Sequence, residues 1–185
     1  MGKRVISGAL SVSGIESIRQ QLEEYKLATL PNLIRQFVDQ LANYGILTAK
    51  EIVGNEIIGG DDEGGGQALI TFRKELNPTQ NGCTCIIYAT DSAKIIKSWL
   101  TKEGIKSAEI SPILMAEFGS GQKAIEGHQG TFPGQTHAFD EEGWYWQDLN
   151  GGWNHSIGIE PTQPMYNAWL QMATQYKTIA KSVFG

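Results

Sequence analysis

The C-terminal quarter of the chain, residues 143–185, constrains the fold more than any other stretch. It opens with aromatic residues on both sides of Asn150-Gly151, the dipeptide that most favours a tight type I′ hairpin turn. These residues are Trp144, Tyr145, Trp146 and Trp153. The pattern predicts an aromatic β-hairpin with a two-residue loop.

The two-residue loop also predicts the register of this hairpin. Trp146 then pairs with His155, and alternation along each strand brings three tryptophans to one face. The three are Trp144, Trp146 and Trp153. We expect this row to be buried against a C-terminal helix, because Trp169 on that helix is predicted to face the same core.

Residues 162–164, Thr-Gln-Pro, predict the start of that helix, since proline fits a first turn, where its missing N–H has no partner. Apolar residues then follow at helical spacing. They are Met165, Ala168, Trp169, Met172, Tyr176, Ile179, Ala180 and Val183. The stretch is therefore a packing unit in which a long amphipathic helix follows the hairpin.

Helices are also predicted in the first part of the chain. Ser13 caps a short helix, residues 29–31 restart it, and an apolar stripe continues to about Val53 with Gly45 tolerated inside. Before them, alternation over residues 3–12 predicts a first strand. The first part is thus expected to be a short strand followed by two helices.

The middle of the chain is predicted to mix strands and helices. Gln67–Leu76 and Cys83–Thr90 are predicted strands, and the second is expected to be more buried. Asp91 or Ser92 is expected to cap an inserted helix over about residues 91–104, because the apolar residues that follow recur at helical spacing.

A short apolar helix is predicted over Ser111–Phe118 and stops at the glycines that begin with Gly119. Glycine-rich segments at about 54–66 and 122–142 are predicted to be mobile loops. The order of elements indicates an α+β fold, with a small antiparallel sheet whose aromatic β-hairpin packs against the N-terminal helices and a long C-terminal helix.

Composition sets broad limits on function. The 185 residues suit a single domain, residues 1–185. A net charge of −5 and an isoelectric point near 5.2 argue against nucleic-acid binding, which needs a basic stripe. No apolar run approaches the ~20 residues of a membrane span, and the N-terminus lacks an apolar signal core. We therefore expect an intracellular protein without membrane contact.

No residue pattern singles out catalysis or metal binding. His128, His137, His155, Asp140 and Glu117 lack the short spacings of a metal site. A metal-dependent hydrolase built on His137, Asp140 and His155 stays an alternative, and it requires these side chains to converge. No Ser or Cys lies in a nucleophile elbow. We expect a protein that is not an enzyme and has no catalytic, metal or cofactor-binding residues.

Four short motifs follow one another in an order that resembles a known family. They are Ala42–Ala49, the EFGSG segment Glu117–Gly121, the Gly-Trp-Tyr-Trp hairpin from Gly143, and the PMYNA helix start Pro164–Ala168. This order is similar to that of the small neck and tail-completion (minor tail) proteins at the head–tail joint of long-tailed bacteriophages. The extra helix within residues 91–110 departs from the family pattern.

The resemblance implies a structural virion protein, made in the host cytoplasm and assembled at the neck or tail. It implies a homo-oligomeric ring, commonly six-fold, that connects head-closure proteins to the tail tube while DNA passes nearby without specific binding. The two glycine-rich loops are expected to contact other subunits or neighbouring proteins. The candidate structural or interface residues are Glu117, Phe118, Gly119, Gly121, Trp144, Trp146, Trp153, Pro164, Met165 and Tyr166.

The main alternative is a carbohydrate- or surface-binding module. A flat row of tryptophans can stack on sugar rings. This alternative predicts that at least two of Trp144, Trp146 and Trp153 are exposed and coplanar, whereas assembly predicts that they are buried or at subunit contacts.

Overall fold

The computed structural model describes residues 6–9, 11–54, 69–79, 82–92, 95–101, 104–125, 144–147 and 151–185. The chain forms two compact units. The first consists of Met1–Gly45, Lys74–Ile87 and Gln171–Gly185, and the second of Ile46–Arg73 and Tyr88–Leu170. The predicted loops at about 54–66 and 122–142 lie outside the described residues, apart from Gly54 and residues 122–125.

The N-terminal helices follow one another without a break. α1 (Val12–Glu24) begins at Ser11, whose hydroxyl accepts a hydrogen bond from the Gly14 N–H at 3.1 Å. A π-helical turn at Tyr25–Thr29 connects α1 to α2 (Leu30–Gly54). The two predicted helices are confirmed, together with the end of the second.

Three details of the N-terminal prediction differ. The N-cap is Ser11 and not the predicted Ser13, which lies inside α1. The restart expected at residues 29–31 is a local change of helical pitch, which coincides with Pro31, a residue without an N–H for an α-helical bond. The strand expected over residues 3–12 is wrong, because Val12 is already helical and residues 6–9 form neither helix nor strand.

In the first unit, α2 packs closely against the C-terminal helix α4 (Pro164–Phe184). A Cβ on Gly45 would lie 2.5 Å from Met172 Sδ, so the Met172 side chain occupies the space that the glycine leaves beside α2. Farther along, the rings of Phe37 and Phe184 have their centroids 5.9 Å apart. The predicted C-terminal helix is confirmed.

The two predicted strands in the middle of the chain are confirmed. β1 (Ile70–Thr79) and β2 (Gly82–Asp91) form a two-stranded sheet, and Lys74 of β1 donates hydrogen bonds to Asp39 and Asn43 of α2. β2 was expected to be the more buried strand, but all of its residues are half-buried or exposed, whereas β1 buries its first residues.

The inserted helix predicted over about residues 91–104 is wrong. Residues Ile95–Thr101 form strand β3, which pairs along its whole length with β4 (Gly104–Ile110). A two-residue connection joins the strands, and Gly104 at its end has φ 114, which favours glycine. Apolar pairs three and four positions apart fit a helix or a strand, and pairing with the next strand, β4, decides in favour of the strand.

The aromatic hairpin forms, but in a different register. β6 (Trp144–Gln147) and β7 (Trp153–Ser156) complete a four-stranded sheet in the order β4-β3-β6-β7. Trp146 pairs with Asn154 instead of His155, because residues 148–152 connect the strands instead of a two-residue loop. This shift of one residue moves Trp153 to the other face from the one predicted, the face of Tyr145.

The remaining elements belong to the second unit. α3 (Pro112–Phe118) is followed by the short strand β5 (Ser120–Gly121), which pairs with β8 (Gly158–Ile159) ahead of α4. The core of this unit consists of Ala49, Val53, Ile70, Phe72, Ile113, Ala116 and Ala168. The α+β class, with N-terminal helices and a long C-terminal helix, is confirmed.

Trp169 does not face this core. Its side chain is 57% exposed, although Ala168 beside it is buried. The prediction that Trp169 shares a core with the hairpin is therefore wrong. The apolar stripe of α4 is wider than its buried side, and part of it faces solvent. None of the described helices is long and apolar enough to cross a membrane.

Candidate functional site

The start of α3 is fixed by its own cap and by the end of β2. Ser111 is the N-cap, and its hydroxyl accepts a hydrogen bond from the Leu114 N–H at 3.4 Å. The Asp91 carboxylate accepts from the Ser111 hydroxyl at 2.5 Å and from the Ile113 N–H at 3.0 Å. Asp91 was expected to cap an inserted helix, and it caps α3 instead.

The end of α3 requires a glycine for two reasons. Gly119 has φ 75, in the left-handed region that favours glycine, while its N–H donates to the Met115 carbonyl at 2.8 Å. A Cβ there would also lie 2.8 Å from the Ile159 carbonyl oxygen and 2.9 Å from Pro161 Cδ. Gly119 therefore ends the helix, as predicted, and lets the β8 segment approach it.

β5 and β8 join this segment to the helix end. Ser120 pairs with Ile159, and the Ile159 N–H donates to the buried Ser120 hydroxyl at 3.2 Å. Gly158 has φ 130, and a Cβ there would lie 2.0 Å from the Ser120 carbonyl oxygen. The Gln122 N–H donates to the Ile157 carbonyl at 2.9 Å, so pairing continues past the strands.

A carboxylate from α3 caps the N-terminus of α4. The Met165 N–H donates to Glu117 Oε2 at 2.9 Å, and the Tyr166 N–H donates to Glu117 Oε1 at 3.0 Å. First-turn amides have no partner within their own helix, and the helix dipole favours a negative charge there. Glu117 satisfies both requirements from 48 positions earlier in the chain.

The same turn is held by a backbone carbonyl of α3. The Ala116 oxygen accepts from the N–H groups of Thr162 and Gln163 at 2.9 and 3.0 Å. Asn167 Nδ2 donates back to the Thr162 carbonyl at 2.7 Å, and Pro164 is fully buried. Residues 116–121 and 157–167, which we call the clasp, thus anchor the first turn of α4 to α3.

The clasp brings together most of the residues that the sequence singled out. The EFGSG and PMYNA motifs meet in it, through Glu117, Gly119, Gly121, Pro164, Met165 and Tyr166. Phe118 also belongs to the clasp, and it packs against Met115. Trp144 and Trp146 lie in β6 and Trp153 in β7, outside the clasp. Sequence reasoning missed Ser120, although it lies within the EFGSG motif.

One face of the four-stranded sheet is open to solvent. Paired positions place Ile96, Ile105, Tyr145 and Trp153 on it, and all four side chains are exposed. Its other described members, Ser98, Ser107, Glu109 and His155, are also exposed. Ser98 and Ser107 are hydrogen-bonded at 2.7 Å, and the rings of Tyr145 and His155 lie 4.7 Å apart. We call this surface the open sheet face.

A second apolar surface lies on the first turns of α4. Tyr166, Trp169 and Leu170 are three and four positions apart, so they share one side of the helix, and all three are exposed. The rings of Tyr166 and Trp169 have their centroids 6.2 Å apart. We call these three residues the α4 aromatic patch. It begins one residue after Met165, which Glu117 anchors.

The described residues contain no group of three or more histidine, cysteine, aspartate and glutamate side chains placed to hold a metal ion. His155 lies against Tyr145, and Glu117 caps α4, so these two candidate ligands belong to different structures. His128, His137 and Asp140 lie outside the described residues. Cys85 is a free thiol, and burial raises its pKa, which makes it a weak nucleophile.

An open groove of about 630 Å³ lies in the first unit beside the π-helical turn. Its lining includes Thr29, Asn32, Leu33, Gln36 and Leu76. Arg35 and Asp39 line it as well, and the Asp39 carboxylate accepts a hydrogen bond from Lys74.

Comparison with known proteins finds no matching family model, no matching curated protein and no matching solved structure.

Proposed function

We propose that this chain is a structural protein of the head–tail joint of a long-tailed bacteriophage. In this proposal it self-associates into a ring at the neck or tail end and connects head-closure proteins to the tail tube. It acts by binding, not by catalysis. The support comes from the motif order in the sequence and from the surfaces that the structure exposes.

The observation that carries the proposal is the amount of apolar surface left uncovered. Among the described residues, exposed large hydrophobic side chains outnumber buried hydrophobic residues. α1 buries none of its residues and exposes Val12, Ile15 and Leu22. Large exposed apolar patches are rare on proteins that act as monomers and mark surfaces that other proteins cover. In an assembly component, neighbouring subunits or other proteins would cover such surfaces.

The clasp supports the proposal in a second way. Two of the motifs that carry the resemblance, EFGSG and PMYNA, meet there and hold α4 through Glu117. A subunit of an assembly must present its surfaces to neighbouring subunits in a defined position, and motifs that anchor the first turn of α4 serve this requirement. Rigid placement also lowers the entropy lost on docking.

The acidic composition is compatible with the passage of DNA. At a net charge of −5, a ring of such chains would repel phosphate groups rather than bind them. This part of the proposal requires that the inward surface of the ring is not basic, because a basic stripe would bind and slow the DNA.

The test is the fate of the protein in phage particles. Purified virions are analysed by mass spectrometry, and particles from a mutant lacking the chain are imaged by electron microscopy. We expect the protein in virions and unjoined heads and tails in the mutant. A protein absent from virions, with normal particles in the mutant, would refute the proposal.

A carbohydrate-binding role is the second candidate, and it has one observation in its favour. Tyr145 and Trp153 are both about half exposed on the open sheet face, where rings can stack on a sugar. A glycan array tests it, with Trp153→Ala as the variant and Trp169→Ala as the matched control. Binding lost only in Trp153→Ala would favour this candidate.

A further inference from the structure

We propose that Cys83 and Cys85 together bind one soft monovalent cation, Cu(I), as two thiolate ligands. Both cysteines are free, and they lie two positions apart in β2. A two-thiol site departs from the expectation, drawn from the sequence, that the chain has no metal-binding residues. It is independent of the proposed function, because it requires neither a ring nor a phage partner.

The two thiols lie on the same side of the strand. Side chains two positions apart in a β-strand point to the same face. Burial follows this alternation along β2, because the odd-numbered positions from Cys83 to Ala89 are half-buried, whereas the even-numbered positions from Thr84 to Thr90 are exposed. Both thiols therefore face the half-buried side of β2, where a cation can reach them and water is partly excluded.

The spacing of the two cysteines suits a bridging ion better than a disulfide. Two residues of extended strand separate the Cα atoms by about 6.6 Å, whereas most disulfides have them about 5.5–6 Å apart. A disulfide also brings the two sulfurs to about 2 Å. Two metal–sulfur bonds of about 2.3 Å in a line leave the sulfurs about 4.6 Å apart, which demands less movement of the backbone.

The number of ligands selects the cation. Thiolates are soft ligands that favour Cu(I) and zinc over hard cations such as magnesium and calcium. A structural zinc ion takes four ligands, and the described part of the chain holds no group of three or more histidine, cysteine, aspartate and glutamate side chains placed for a metal. Cu(I) is stable with two thiolates, so Cys83 and Cys85 are enough for it.

Binding displaces only weak interactions of the two thiols. Cys83 Sγ donates to the Thr84 carbonyl and Cys85 Sγ to the Ile86 carbonyl, each at 3.8 Å. One Cu(I) ion replaces the two thiol protons, which pass to solvent, and two copper–sulfur bonds form with no change of oxidation state. The complex carries a single negative charge.

A nearby cation offsets this charge. Burial raises the pKa of the Cys85 thiol, and the Lys74 ammonium acts against this rise more strongly than its partner Asp39 adds to it. The Lys74 ammonium is therefore close enough to stabilise a negative charge on Cys85 Sγ. All four of these side chains, with Cys83, belong to the first unit.

The experiment titrates the reduced whole chain with Cu(I) under anaerobic conditions, in competition with bicinchoninate, a coloured chelator of Cu(I). Native mass spectrometry counts copper ions and chains in the complex, and X-ray absorption at the copper edge identifies the ligand atoms. We expect one copper ion per chain, with two sulfur ligands and no nitrogen ligand. The thermal unfolding midpoint should rise when copper binds, because only the folded strand holds the two thiols on one face.

Three variants test the geometry. Cys83→Ser and Cys85→Ser should each lose the one-to-one complex and the rise of the unfolding midpoint. The matched control is the double variant Cys85→Ser, Ile86→Cys, which keeps two thiols but places them on opposite faces of β2. It should also lose the complex. Circular dichroism verifies folding, since Ile86 is 51% exposed and serine differs from cysteine by one atom.

Four results would overturn the inference. They are a wild-type chain that takes no copper from the chelator, a single variant that keeps the complex, a control variant that binds as tightly as the wild type, and a copper ion that bridges two chains or has a nitrogen ligand. None of them bears on the proposed function, which depends on the presence of the protein in virions.

Discussion

At the scale of single residues, the clasp depends on a few side chains and glycines with no substitute. Glu117 accepts hydrogen bonds from two backbone N–H groups of a helix that begins 47 positions later. Gly119 and Gly158 combine a positive φ with a close carbonyl oxygen. The stability of the second unit should therefore be sensitive to these positions.

Glu117→Ala should lower the free energy of unfolding by about 1–2 kcal/mol, because two first-turn amides lose a charged acceptor. Glu117→Gln keeps one acceptor oxygen and should lose roughly half as much. Urea unfolding followed by circular dichroism measures both. Glu23→Gln on α1 is the control, and equal stability of all four proteins would contradict the role assigned to Glu117.

Gly158→Ala should destabilise the protein by at least about 2–3 kcal/mol, since the new Cβ adds a clash with the Ser120 carbonyl to an unfavourable φ. Gly104→Ala is a matched control, because Gly104 also has a positive φ but nothing within 4 Å of a Cβ. It should lose about 1 kcal/mol. Similar losses at the two positions would show that the clash relaxes away.

At the scale of elements, the packing of α2 on α4 explains a glycine inside a long helix. Gly45 carries a propensity penalty of about 1 kcal/mol, and in exchange the Met172 side chain lies against the backbone of α2. The sequence shows only that this glycine is tolerated. The structure shows which side chain occupies the space.

A double-mutant cycle tests this packing. In a Met172→Ala background, Gly45→Ala should stabilise the protein by about 0.5–1 kcal/mol through helix propensity. In the wild-type background the gain should disappear, because the methyl group displaces Met172. Chemical denaturation gives the four free energies. A coupling energy of zero would mean that the two positions do not interact.

Local signals in the sequence were enough to predict that α3, α4, β1 and β2 exist. They did not give the ends of β1, which was predicted over Gln67–Leu76 and runs from Ile70 to Thr79, through Pro78. They were not enough for β3, whose apolar spacing fits a helix as well as a strand and whose structure is decided by β4. The register of β6 and β7 depended on loop length, which Asn150-Gly151 did not fix. The sequence analysis singled out both motifs of the clasp. It did not predict the contact between them, because they lie far apart along the chain.

At the scale of the whole molecule, α2 passes from one compact unit into the other at Gly45 and Ile46, and α4 does so at Leu170 and Gln171. A helix is cooperative along its length, so unfolding at one end weakens the other. If the chain is the single domain expected from the sequence, the two units should therefore unfold together, in one cooperative transition.

Differential scanning calorimetry tests the single domain directly. We expect one transition whose calorimetric and van't Hoff enthalpies agree. Glu117→Ala, in the second unit, and Phe37→Ala, in the first, should each shift that one transition to lower temperature. Two transitions that the variants move separately would show two domains.

The distance along the chain between Glu117 and Met165 has a consequence for synthesis. The carboxylate leaves the ribosome 48 residues before the first amide that it binds. Until then α3 lacks its contacts with α4 and with the β8 segment. The apolar side chains Ile113 and Met115 are therefore less buried than they are in the complete fold. A nascent chain that ends before Pro164 therefore leaves these apolar side chains less covered than they are in the complete fold.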